Sequence, residues 1–536
     1  RCWSQSRTLF ARVARHRHGC FTVDQKHTRP TQHFQPWQTW TQPRHRHQQA
    51  KAGLALSILV IDVGTSGLRA AVVRSTGVVE HLFYESLAPS SPVPGLVEFD
   101  AATMREAVLR VANASLSAAG KVDAVGITNQ RASAIAWDKN TGIPIGPALG
   151  WQDLRTVIEC ITARAEHGLF LAPNQTATKA SWMLKNYSIP SNAKICIGTV
   201  DTWVAFVLSQ GQLFVTDDTN AAVTGLWTLQ DQSWSPRILD IFGIDIEMMP
   251  TIVRSSGVVG NATALPGAPP IASLVGDQQG SLVGQGCITP GKTKITFGTG
   301  GMLDTVTGTT PPSENRRSSG GTFPIVAFSD ATGITWGAEA IMLSAGTNIE
   351  WLCSDMQLID TPQQSHEVAS QVETTDGVVY VPALLGLGTP KWDYGARGTL
   401  IGITRGTTRA HVVRAVLEGI AHRGADLMEA TIADSGLPID TLRIDGGMSK
   451  NPTFVQALAN ATQRPIEVSP VTEATTLGAA FLAGVAVGTW KSLEEACSTW
   501  KPASVVQPNS ILNRAQWNEA VQRSSGWIPE LSGLDF

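Results

Sequence analysis

The chain is short of charge. Of its 536 residues only 16% are Asp, Glu, Lys or Arg, against about a quarter in an average soluble protein. Such a sequence can bury large interiors, which excludes disorder or a coiled coil as its main state. Cysteine is scarce too. The seven, at positions 2, 20, 160, 196, 287, 353 and 497, are odd in number and scattered, with no CxxC or other zinc-like spacing. This excludes a disulfide framework and fits a reducing compartment. Long apolar runs are missing: the longest, Leu54 to Val63, already contains Asp62 and falls well short of the ~18 residues that span a bilayer. A soluble, cytoplasmic protein with no membrane partner is expected.

The net charge of −3 is unevenly spread. Residues 1–54 hold ten Lys/Arg, six of the eleven His and one acid, Asp24, for +9, which leaves −12 on the remainder. A mildly acidic body excludes nucleic acid as the main partner. The basic segment has no apolar core of the secretory kind and is expected to be a disordered or leader-like extension; its Arg-rich, acid-poor composition also suits an organelle transit peptide. The length predicts two or three domains, at about 100–200 residues each.

What is present is glycine, 50 residues of it, several of them where an apolar run ends. Ile58 to Ile61 is an apolar, mostly β-branched run ending in Asp62, followed by Gly64-Thr65-Ser66-Gly67 and a second apolar run, Leu68 to Val73. This spells strand, glycine turn, strand. Thr293 to Phe297, Gly298-Thr299-Gly300-Gly301 and Met302 to Val306 repeat the plan about half the body's length later, which hints at a duplicated architecture. Between the two, Thr103 to Ala118 has helical periodicity, with Thr103 as N-cap and Glu106 completing a capping box. Strands are expected at 124–128, 134–137 and 442–444. Helices are expected at 409–433, at 453–462 behind an Asn451-Pro452 cap, and at 474–487. Alternating strands and helices give an α/β class with more than one sheet.

Four stretches carry chemistry. In each glycine turn, successive N–H groups and hydroxyls can cradle phosphate oxygens, and Asp62 can hold a hydrated Mg²⁺; either turn can equally be an ordinary hairpin. Neither matches GxxxxGK[ST], and no GxGxxG opens a helix, so the chain is neither a P-loop nor a Rossmann protein. Asp277, in Gly276-Asp277-Gln278-Gln279-Gly280 at the end of an apolar run, can take a proton from an attacking hydroxyl or merely cap a helix. In Asp445-Gly446-Gly447-Met448-Ser449-Lys450-Asn451 two glycines leave room for a flat adenine, or form a plain strand-to-helix turn.

The order and spacing of these four, together with Gly126-Ile127-Thr128-Asn129-Gln130-Arg131, Gly198-Thr199-Val200-Asp201-Thr202-Trp203 and Glu473-Ala474-Thr475-Thr476-Leu477-Gly478-Ala479-Ala480, closely resemble the FGGY carbohydrate kinases, and within them those acting on glycerol. The resemblance runs from about Ile58 to about Thr489. It implies two actin-like ATPase domains of the hexokinase/Hsp70, ribonuclease H-like type around a cleft. The expected division is an extension at 1–54, an N-terminal domain at 55–302, a C-terminal domain at 303–490 and a tail at 491–536. It further implies ATP and Mg²⁺ as cofactors, a small polyol or sugar as substrate, and a homodimer or homotetramer.

Carried over residue by residue, the resemblance gives Thr65, Ser66 and Arg69 to the first phosphate turn, Asp62 to Mg²⁺ and Thr299 to the second turn. Gly346 and Glu350, the latter where the family usually has Gln, fall with Gly447 and Asn451 at the nucleotide. Asp277 is the implied catalytic base, with Gln278, Arg131 and Trp151 around the substrate. The acceptor pocket departs from the pattern: Ala132 replaces a Glu, Asn174 a Tyr and Met302 an aromatic residue, and the opening Asp-Val-Gly-Thr-Ser-Gly looks more like xylulose kinases. The stretch Asn261 to Pro270 has no Lys or Arg, so the sugar-bisphosphate inhibitor loop of some bacterial relatives is not expected. The implied activity is transfer of the ATP γ-phosphoryl group to a primary hydroxyl of glycerol or a related polyol. The alternatives are a kinase of xylulose, erythritol or another sugar or polyol, and an actin-fold nucleotide-binding protein without transferase activity.

Overall fold

The computed structural model describes residues 56–314 and 316–534; the basic extension, with its leader-like readings, lies outside them. The first half builds a six-stranded sheet from β1 (Ser57–Val63), β2 (Gly67–Arg74), β3 (Val79–Ser86), β4 (Ala124–Asn129), β5 (Ser256–Asn261) and β6 (Pro270–Gly276), in the order β5-β6-β4-β1-β2-β3. β1, β2 and β3 are antiparallel neighbours, whereas β1, β4 and β6 run parallel. Every residue of β1 is buried, as a strand covered on both faces requires. Leu59, Ile61 and Val63 pack with Met104, Val108 and Val111 of α1 (Ala101–Ala119) and with Val200, Trp203 and Val204 of α2 (Val200–Leu208). Ile58 and Val60 face the other way.

α1 begins two residues earlier than its periodicity predicts. Asp100 is the N-cap, accepting from Ala102 N at 2.9 Å and from Thr103 Oγ1 at 2.8 Å. A carboxylate takes both donors, so Thr103 serves the cap rather than being it.

The second half follows α3 (Asp277–Gly284) and repeats the plan. β7 (Thr293–Phe297), β8 (Gly301–Gly308), β9 (Phe323–Asp330), β10 (Gly333–Met342), β11 (Leu442–Asp445), β12 (Ile466–Val468) and β13 (Ser504–Val506) form one sheet in the order β9-β10-β8-β7-β11-β12-β13. α4 (Thr347–Ser354), α5 (Arg409–Ser435) and α6 (Pro452–Thr462) belong to this half, the last capped by Asn451 as expected. Val413, Val416 and Ile420 of α5 and Phe454 and Leu458 of α6 close over Ile295 and Phe297 of β7. In both sheets the central hairpin, β1–β2 or β7–β8, is antiparallel, and a parallel strand, β4 or β11, adds on its far side. The expected duplication is therefore present in the topology.

The sequel crosses back. α7 (Ala474–Ala486) packs not on its own sheet but on the first: Leu477, Ala480 and Phe481 meet Ile58, Val60 and Ala124, with Leu282 and Val283 of α3. α3 and α7 touch through glycines. A Cβ on Gly478 would stand 1.8 Å from Gly280 O, and one on Gly284 1.9 Å from Ala474 O. α8 (Arg514–Ser524) finally lies along α5, where Trp517 stacks on His422 at 4.9 Å.

Candidate functional site

Because β1, β4 and β6 are parallel neighbours, their C-terminal ends share one edge, and open α/β sheets place ligands at that edge. Asp62 is the penultimate residue of β1, Arg131 stands two residues beyond β4, and Asp277 immediately follows β6 as the first residue of α3. Topology thus gathers three of the predicted site residues that are far apart in sequence.

The hairpin turn after Asp62 is closed by Gly64 N donating to Gly67 O at 3.0 Å. Arg69, opposite Asp62 in the register, brings its Nε to 3.5 Å from Asp62 Oδ2 and hydrogen-bonds Glu473 through Nη1. Burial pushes the Asp62 carboxyl up to about 7; Arg69 opposes the shift, while Asp277 and Glu473 add to it. Thr65 Oγ1 accepts from Trp151 Nε1 at 3.0 Å, tying the predicted apolar wall to the predicted phosphate turn. Ser66 is exposed at its tip.

Asp277 Oδ1 accepts from Gln278 N at 2.8 Å and lies 3.7 Å from Arg131 Nε. Burial raises its pKa and the Arg131 guanidinium opposes the rise. Arg131 also donates from Nη2 to Glu339 Oε2 of β10 at 2.6 Å. Gln278 accepts from Lys294 Nζ at 2.7 Å, and Lys294 in turn pairs with Asp304 at 2.7 Å, both side chains fully buried. Of the departures, Ala132, at φ +62°, accepts through its carbonyl from Thr176 Oγ1 at 3.2 Å, and Asn174 O accepts from Lys179 Nζ at 2.8 Å. Met302 is paired with Thr296 and Ile341 across β8's two neighbours.

A second group surrounds the other turn. Thr299 O and Gly298 O accept from Ala345 N and Gly346 N at 2.8 and 2.9 Å, which sets the start of α4 against the turn; Glu350 is exposed one turn along that helix. Gly447 is exposed just beyond β11, the parallel neighbour of β7. Asn451 spends its amide within the protein: Oδ1 accepts from Phe454 N at 3.1 Å and Nδ2 donates to Ser365 Oγ at 2.8 Å. Ser281 Oγ of α3 donates to Asp445 Oδ2 of β11 at 2.8 Å, joining the helix that starts with Asp277 to the strand that ends beside Gly447.

Sequence reasoning passed over Glu473, Glu339, Lys294 and Asp304. Glu473 opened a quoted motif. The other three are charged residues inside apolar strands, a pattern that marks a paired or functional group, since an unpaired buried charge is too costly to keep.

Among the described residues no three His, Cys, Asp or Glu side chains converge as a metal cage, and no helix is long and apolar enough to cross a membrane. A Mg²⁺ ion carried by nucleotide phosphates needs only one or two carboxylates. Asp62, buried at a strand end beside the phosphate turn, has the chemistry for that.

The N-terminal domain of the FGGY family of carbohydrate kinases matches residues 57–284, and its C-terminal domain residues 293–487. The chain is 36% identical to a glycerol kinase of Gloeobacter violaceus over 498 residues, 89% of this chain and 99% of that one. It is 38% identical to a glycerol kinase of Haloferax volcanii over 507 residues, 88% and 98% of the two chains. Among solved structures, Plasmodium falciparum glycerol kinase with ADP superimposes with a TM-score of 0.81 at 29% identity, covering 88% of this chain and 98% of that one. A xylulose kinase of Lactobacillus acidophilus shares the fold, with a TM-score of 0.76 at 23% identity over 87% and 96%.

Proposed function

Since the chain belongs to the FGGY family of carbohydrate kinases, we infer that it transfers the γ-phosphoryl group of ATP to a primary hydroxyl of glycerol, giving glycerol 3-phosphate and ADP. The observation that carries this reading is the convergence of Asp277, Arg131 and the first phosphate turn at one sheet edge, in a chain about 37% identical to glycerol kinases over nearly their whole length.

Asp277 accepts the hydroxyl proton as the acceptor oxygen bonds to the γ-phosphorus and the bond from that phosphorus to the bridging oxygen breaks, leaving ADP. Burial makes the carboxylate a stronger base than a solvated aspartate, while Arg131 keeps it ionised. Arg131 and Gln278 orient the acceptor hydroxyls, and Trp151 covers its C–H bonds. Thr65, Ser66, Arg69 and Thr299 line the phosphates from two sides, where donors aimed at the equatorial oxygens favour the transition state. Gly346, Glu350, Gly447 and Asn451 border the nucleoside. Asp62 would hold a Mg²⁺ ion, which would neutralise developing phosphate charge when bound. The cysteines at 160, 196, 287, 353 and 497 are all free, which supports a cytoplasmic setting.

Ala132 in place of a carboxylate leaves room for a longer acceptor. The test is a coupled ADP-release assay across glycerol, erythritol, xylulose, ribulose and gluconate. Glycerol is expected to give the highest kcat/KM; a higher value with another acceptor reassigns the substrate, and no acceptor-dependent ADP from any of them overturns the kinase reading.

A further inference from the structure

Glu339 is an acid in an apolar strand. Its neighbours along β10, Trp336, Ala338, Ala340 and Met342, are buried, and Glu339 itself is 6% exposed. A carboxylate is kept in such a place only when it is paired. Its partner comes from the other sheet: Arg131 Nη2, at 2.6 Å.

The guanidinium is a planar fork, so fixing two of its edges fixes the third. Arg131 Nε faces Asp277 Oδ1 at 3.7 Å, Nη2 is held by Glu339, and Nη1 is buried with no acceptor among the described residues. The stem passes close over Gly276, where a Cβ would meet Arg131 Cγ and Cδ at 2.8 Å. The residue next to Arg131, Ala132, supplies no carboxylate. The nearby Lys294–Asp304 pair is sealed, with both side chains 0% exposed. The Arg131 and Glu339 side chains instead retain 12% and 8%, at the edge where Asp277 stands. This pair is therefore reachable from the edge where the Asp277 side chain is 29% exposed.

We propose that Glu339, reaching across from the second sheet, is the positioning residue that holds the Arg131 guanidinium beside Asp277, where the exposed part of the side chain meets an acceptor hydroxyl, in place of a carboxylate at position 132. The proposal rests on the acceptor role of Arg131 given above. Glu339 acts through Arg131 and leaves the nucleotide untouched, so its effect belongs to acceptor binding.

The experiment measures acceptor KM, ATP KM, kcat and thermal stability for the full chain, using glycerol, and for Glu339→Gln, Glu339→Asp, Arg131→Lys and the double variant Arg131→Lys/Glu339→Gln. Glu339→Gln is expected to raise glycerol KM at least about tenfold with ATP KM within about twofold, the signature of lost acceptor binding. Glu339→Asp, one methylene too short to close a 2.6 Å contact, is expected to raise the same KM by less. In the Arg131→Lys background, Glu339→Gln is expected to add under about twofold, because coupled residues are not additive. An unchanged glycerol KM in both Glu339 variants, a parallel rise in both KM values, or fully multiplicative effects in the double variant overturns the proposal. Wild-type chain that turns over another acceptor and not glycerol overturns the substrate reading instead, and the same variants are then read with that acceptor.

Discussion

At the scale of single residues, the demand on Asp277 as the proposed base is to be ionised yet basic. Asp277→Asn keeps the shape and removes the proton acceptor, so it is expected to fold and to bind ATP with unchanged affinity by calorimetry while losing at least about 10²-fold in kcat. The raised pKa gives the reaction an acid limb lying above the range of an ordinary aspartate, since activity disappears as the carboxylate is protonated. Arg131 holds that pKa down, so Arg131→Gln is expected to move the limb of the kcat/KM profile to higher pH; a limb that stays or moves down contradicts the assignment of Asp277 as base. Asp277, Arg131, Gln278, Trp151 and Asp62 were all legible in the sequence as motif members. Glu339 was not, and Glu473, though it opens a motif, carried no role there, because their meaning lies in a partner more than 200 residues away in sequence.

Elements carry different demands. α3 and α7 cross so closely that only hydrogen fits between the backbones at Gly478 and Gly280. Gly478→Ala has no flexible side chain to displace, only a carbonyl, and is expected to cost at least about 3 kcal/mol by overpacking, read as a lower midpoint in thermal or denaturant unfolding. The contact between α5 and α8 is governed by charge. His422 stacks on Trp517, and its Nδ1 faces Arg514 Nη1 at 3.2 Å, an acceptor's role that requires the neutral ring. Burial and then Arg514 push the His422 pKa down to about 4, from 6.5 in the open chain. The unfolded chain therefore takes up a proton between those values while the folded one does not, so stability falls as pH drops from about 6.5 towards about 4. His422→Phe keeps a stacked ring without the titration, and the fall in melting temperature from pH 7 to pH 5 is expected to be smaller than in the wild type. The periodicity of α5 was plain in the sequence, but the tail at 491–536, set only by where the resemblance ends, gave no sign that its helix would dock there.

The whole molecule is bound together more tightly than two sheets in tandem would suggest. One core unites Ile58, Val60 and Ala124 of the first sheet with Val306, Ala327 and Phe328 of the second and with α7 from near the end of the chain. Without α7 the face of β1 carrying Ile58 and Val60 would be open to water. A fragment ending at residue 290 is thus expected to lack cooperative unfolding and near-ultraviolet circular dichroism, while the full chain gives one calorimetric transition. Two separate transitions, or a fragment that melts cooperatively, would show that the halves fold independently.

The sequence by itself determined the local plan: β-branched runs ending in Asp and Gly make strand–turn–strand units, Asn451-Pro452 starts a helix, and four glycine motifs in fixed order name the family. Those features depend on neighbours along the chain, where backbone preference and hydrogen-bonding reach act. Tertiary structure alone decided that α7 returns to the first sheet and that Arg131 is paired by Glu339 from the second. A buried charge is satisfied by whatever the fold brings within about 3 Å, and that distance is set by strand order and register rather than by spacing in the sequence.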